Sequence, residues 1–85
     1  MLKIPIEDTI DLHMFKATEV GIVVEEYLYQ VLKKGLTHVL IIHGRGIGVQ
    51  REIVHSILKK HASVVEFYDL PHRGSTTVTL RNSSH

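Results

Sequence analysis

Two short runs hold residue types that can move protons or grip an anion. In Ile10-Asp11-Leu12-His13 a carboxylate and an imidazole stand two apart in an apolar–polar alternation. On a strand such positions project from one face, so Asp11 can orient His13 and favour its charged form. That pairing suits general acid–base work, which contributes on the order of 10²–10⁴ in rate; the plain alternative is a solvated strand edge. The second run is Val39-Leu40-Ile41-Ile42-His43-Gly44-Arg45-Gly46-Ile47-Gly48, an apolar strand that empties into three alternating glycines just before a helical pattern. Gly44, Gly46 and Gly48 let the backbone turn and approach a ligand closely. The helix that follows aims its unpaired N–H groups and positive dipole end at the same place, which suits phosphate. His43 is either a second acid–base group or a hydrogen-bond donor that shapes the turn. Arg45 offers a fixed positive charge for phosphate, and Arg51 and Arg73 extend the patch.

The elements that must position these groups follow from periodicity. Ile10 to His13 alternates with period two, the mark of a strand with one buried face. From Thr18 to Lys34 the apolar positions Val20, Val23, Val24, Tyr27, Leu28, Val31 and Leu32 form one helical stripe, and Gly35 is placed to end it. A second strand is expected over about 37–43 and a second helix over about 48–60, burying Val49, Ile53 and Ile57, with Val54 and Leu58 as further candidates. A third strand runs over about 63–68 and a turn over 69–74, followed by a β-branched fourth strand over 76–80. Residues 1–8 read as an extended lead-in, 9–81 as one domain and 82–85 as a frayed end.

This β-α-β-α-β-β order predicts an α/β (α+β) two-layer sandwich with both helices on one face of the sheet. The first three strands should run parallel. Their C-terminal ends would then share an edge, bringing Asp11, His13, the 43–48 loop and the 69–74 turn together, where open sheets bind ligands. Val39 to Ile42 is apolar on both faces, so either residues 1–8 or a second chain, as in a homodimer, should cover the open side.

Composition bounds the rest. Eighty-five residues with 44% apolar and 22% charged side chains make one globular domain. A net charge of +1 leaves polyanion binding to a local patch. With no cysteine there is neither disulfide nor thiolate metal site, and nothing points to export or a membrane, so the expected location is cytoplasmic. Seven histidines are dispersed along the chain. His13, His43 and His72 could meet with Asp11 around zinc or manganese, though no tight ligand spacing supports a metal site, whereas His38, His55 and His61 read as surface or capping residues. The glycine loop lacks the third glycine of a dinucleotide fingerprint, with Val49 in its place, and no phosphate-loop lysine follows it.

Ile10-Asp11-Leu12-His13, His43-Gly44-Arg45-Gly46 and Gly74-Ser75-Thr76-Thr77-Val78 together resemble the three signatures of the small MutS-related (Smr) domain, in order and spacing over residues 9–80. The resemblance implies a fold like the C-terminal domain of initiation factor three, a mixed four-stranded sheet with the last strand inserted antiparallel. It implies nucleic-acid binding and, in many members, endonuclease activity that nicks DNA or cleaves RNA, with roles in DNA repair or RNA surveillance. Asp11 and His13 match the family's acid and histidine, Gly44 and Gly46 its glycine loop and Arg45 its basic position; with the groups read from the residues themselves, the catalytic candidates are Asp11, His13 and His43, and the phosphate-binding ones Gly44, Arg45, Gly46, Gly48, Arg51, Arg73 and Gly74. No cofactor is required if an RNA 2′-hydroxyl is the nucleophile; a divalent ion, Mg or Mn, is the alternative. A non-catalytic module that binds nucleic acid or protein is the rival function. Met14, Gln50 and His72 depart from the family pattern, and Met14 puts bulk beside His13 where a glycine is usual.

Overall fold

The computed structural model describes residues 7–44, 48–71 and 74–81. Six elements follow in the expected order: β1 (Thr9–Asp11), α1 (Ala17–Lys33), β2 (His38–Ile42), α2 (Val49–Lys60), β3 (Val64–Asp69) and β4 (Ser75–Leu80). They form one mixed four-stranded sheet in the order β1-β2-β4-β3, with β1 parallel to β2 and β4 antiparallel to both its neighbours. The inserted last strand therefore leaves the first three parallel to one another. Their C-terminal ends lie at one edge, followed by residues 12–15, by the segment that begins at His43 and by the turn that begins at Leu70.

Each helix is set by local chemistry. Glu19 reaches back to the Lys16 N–H at 2.9 Å, the acidic half of a capping box at the positive end of α1. At the other end Gly35, with φ of 87°, takes the left-handed conformation; the Gly35 N–H donates to Leu32 O and the Leu36 N–H to Val31 O, a Schellman stop. The stripe read from the sequence is fully buried at Val20, Val23, Val24, Tyr27, Leu28 and Val31, and half-buried against the core at Leu32. With Ile10, Leu12, Val39, Ile41, Val54, Leu58, Val78 and Leu80 it makes a single core between the helices and the sheet. Burial lifts the Tyr27 hydroxyl above its ordinary pKa, and that hydroxyl donates to the Glu7 carbonyl.

One expectation needs correction. In α2 the buried residues are Val54 and Leu58, while Ile53 and Ile57 are half-buried and Val49 is 42% exposed. The helix is rotated so that the Val54/Leu58 row, one turn apart, takes the centre of the stripe. On β2, Val39 and Ile41 enter the core, and Leu40 and Ile42 lie only half-buried on the other face. Of residues 1–8, one proposed cover for that face, 1–6 lie outside the described residues. No helix among the described residues is long and apolar enough to cross a membrane.

Candidate functional site

The Asp11/His13 pair forms as its spacing predicts. Leu12 donates its N–H to Ile42 O at 2.7 Å and buries its side chain, which extends the β1 pairing and turns Asp11 and His13 outward. One Asp11 oxygen accepts both the His13 N–H, at 3.0 Å, and the ring Nδ1–H, at 2.6 Å. The backbone bond first, and the ring bond after it, hold the Asp11 carboxyl below its ordinary pKa. The His13 side chain stays 66% exposed. With Nδ1 committed to the carboxylate, Nε2 is the nitrogen turned to solvent, the division of labour a proton carrier needs.

His13 faces a pocket of about 320 Å³ that His43, Gly44, Gly48, Val49, Gln50, Arg51 and Ala17 also line. Gly48, with φ of 86°, is the N-cap of α2, and the first intrahelical bond runs from the Glu52 N–H to Gly48 O. The amides of Val49, Gln50 and Arg51 are those that the helix itself leaves without a partner, beside the pocket. Gln50, at a position that departs from the expected pattern, ties the site together: its amide donates to Phe15 O at 2.8 Å, locking α2 to the loop that carries His13. A broader hollow along α1, lined by Thr18, Gly21, Ile22, Glu25 and Glu26, has no cation and two carboxylates, the wrong chemistry for an anion.

Several groups expected at the phosphate have other duties. The N–H groups of His43 and Gly44 both donate to Gly74 O, at 3.0 and 2.9 Å, so the Gly44 N–H is taken up against the start of β4. Arg51 is spent on Asp69, with Nε 2.6 Å from Oδ2. Arg45, Gly46, His72 and Arg73 lie outside the described residues.

The His43 side chain is 0% exposed, so it is not an open acid–base group like His13. Its Nε2 is 2.8 Å from Thr76 Oγ1, and its Nδ1 is 3.2 Å from Gly44 O. Burial lowers its affinity for a proton, and the Gly44 carbonyl and the Asp69 charge offset this only in part. Asp69, whose Cα pairs with that of Thr76 across the β3–β4 ladder, accepts from Thr76 Oγ1 at 2.7 Å and from His55 Nε2 at 2.9 Å. Burial opposes its charge, yet the Thr76, Arg51 and His55 bonds outweigh it and hold the carboxyl well below the usual range. His55, read from the sequence as a surface residue, is therefore part of an internal cluster.

Among the described residues only His43, His55 and Asp69 bring three metal-ligand atoms within 4.8 Å of one another. The Thr76 hydroxyl sits among the three, at 2.8, 3.3 and 2.7 Å, and Arg51 holds the other carboxylate oxygen. The group is a closed hydrogen-bonded knot, and an ion would have to displace that hydroxyl. The sequence reading missed Asp69, Thr76 and His55 as site residues because their partners lie 7–33 positions away in the chain.

Comparison with known proteins places this architecture. The Smr domain family matches residues 10–81. The chain is 40% identical over 63 residues to the endonuclease MutS2 of Caldicellulosiruptor saccharolyticus, covering 69% of this chain and 8% of that protein. It is 34% identical over 80 residues to the MutS2 endonuclease of Clostridium botulinum, covering 89% of this chain and 10% of that protein. It thus spans no more than a tenth of the length of these relatives. Among solved structures, the Smr domain of Thermus thermophilus MutS2 superposes with a TM-score of 0.82 at 28% identity, over 88% of this chain and 99% of that one. YdaL, a stand-alone small MutS-related protein of Escherichia coli, gives a TM-score of 0.81 at 30% identity, over 93% of this chain and 68% of that one.

Proposed function

This chain belongs to the Smr domain family, and from that premise we propose that it binds nucleic acid and cleaves the phosphodiester backbone. The observation that carries the reading is the Asp11/His13 pair, open to solvent on the wall of a pocket whose other wall is the N-terminus of α2. A backbone phosphate would rest against the amides of Val49 and Gln50 and the Gly48 turn, where unpaired N–H groups and the helix dipole favour negative charge. His13 Nε2 would then move a proton to or from an oxygen of that phosphate's ester linkage, with Asp11 stabilising the imidazolium. Arg45, by its place between Gly44 and Gly46, is the cation proposed to meet the charge that develops. Preorganised donors of this kind are worth ~3 kcal/mol each at the transition state. RNA, with a 2′-hydroxyl as internal nucleophile, and DNA, attacked by water, both fit this chemistry.

The test is incubation of the purified chain with labelled single-stranded RNA and with supercoiled DNA, each with and without chelator. His13→Ala is expected to lose cleavage by at least ~100-fold while keeping its affinity. Retention of either nucleic acid with no cut strand would leave a binding module only. Cleavage lost on chelation would bring a divalent ion into the reaction.

A further inference from the structure

We infer that Asp69, acting through the Thr76 hydroxyl, fixes His43 as the Nε2–H tautomer, so that Nδ1, on the side of Gly44, is the nitrogen that takes a second proton. A count of protons leads there. Thr76 Oγ1 lies 2.7 Å from Asp69 Oδ1 and 2.8 Å from His43 Nε2, and a hydroxyl has one proton to give. An ionised carboxylate can only accept, so the shorter, charge-assisted contact claims that proton. Were it turned to His43 instead, two oxygen lone pairs would face each other at 2.7 Å in a buried place. The His43–Thr76 contact is then a hydrogen bond only if Nε2 carries the donor.

Burial keeps the resting ring neutral, which leaves the lone pair on Nδ1, 3.2 Å from Gly44 O. In that state two acceptors meet. A proton arriving at Nδ1 converts the meeting into an N–H···O=C bond and sets a positive charge directly against Gly44. The charged groups facing the ring are Asp69 from β3, which favours this proton, and Arg51 and His55 from α2, which oppose it. His13 and His43 line the same pocket. Asp69 and Thr76 are thus positioning residues. The inference deepens the proposed function by naming the charge that would form behind a bound phosphate, and rests on that reading only for this consequence.

Histidine ¹⁵N chemical shifts in uniformly labelled, full-length protein near neutral pH report which nitrogen carries the proton. Wild type is expected to show His43 Nε2 protonated and Nδ1 bare. Thr76→Ser should keep this pattern, and Thr76→Val should swap the proton to Nδ1, where Gly44 O accepts it. A wild-type spectrum with Nδ1–H would overturn the inference whether or not either variant folds. So would a folded Thr76→Val protein that retains Nε2–H. If the expected tautomer is found in a protein that cuts no strand, the inference stands and the nuclease reading falls.

Discussion

Replacing Asp69 by Asn tests the site most sharply, because stability and binding should move in opposite directions. The carboxylate accepts from Thr76, His55 and Arg51, and Asn preserves its shape while removing the charge and turning a donor toward a donor at one position. Hydrogen bonds to a charged group contribute ~1.5–3 kcal/mol each, roughly twice a neutral one, so the two inner bonds should lose about 1 kcal/mol apiece. Arg51 is 41% exposed, and water takes over much of its end, which limits that loss to at most ~1 kcal/mol. The sum, about 2–3 kcal/mol, corresponds to a fall in Tm of roughly 10–20 °C for a domain of this size. The same substitution frees the Arg51 guanidinium at the pocket wall. Affinity for single-stranded oligonucleotide should therefore rise at low salt, and the slope of log K against log salt should steepen by about 0.7. Calorimetry or urea unfolding supplies the first quantity, and anisotropy titration at several salt concentrations the second. A folded Asp69→Asn protein whose salt slope is unchanged would refute the claim that Asp69 withholds Arg51 from phosphate.

Acid should destabilise the chain in two stages. His43 has a proton affinity lowered below its ordinary value of 6.5, so the unfolded chain takes up that proton first, and stability falls as pH drops below about 6.5, by up to 1.36 kcal/mol per pH unit. Asp69, held below 3.8, adds a second loss as pH falls through the acid range, because its stabilisation is full only above the unfolded value. Unfolding midpoints between pH 8 and 5 check the first stage, and His43→Gln should flatten it; an equal slope in that variant would assign the effect elsewhere. Gln50→Leu should lower stability by ~1 kcal/mol through the orphaned Phe15 carbonyl, and an unchanged urea midpoint would mean the tie carries no energy. Gly48→Ala meets no neighbour within 4 Å but is forced to φ of 86°, so ~1 kcal/mol of backbone strain, about 4–8 °C in Tm, is the expected cost.

What could be read from residue order was whatever repeats over a few positions. The α1 stripe and its Gly35 stop, the strand alternation that turns Asp11 and His13 to one side, and the glycines ahead of α2 each depend on neighbours within one or two turns of chain. Sheet order and side-chain company did not share that property. His55 sits on α2 with the spacing of a solvent-facing residue, and it becomes internal only because β4 inserts between β2 and β3 and sets Thr76 opposite Asp69. The partner of Arg51 was out of reach for the same reason, since it is a carboxylate 18 residues away. Local dihedral preference and hydrophobic period are properties of a segment, whereas the partner of a buried polar group is fixed by whichever distant strand completes the sheet. The polypeptide's own pattern therefore determined its six described elements and its exposed Asp11/His13 pair; tertiary pairing alone decided which charges remain available at the pocket and how His43 is held.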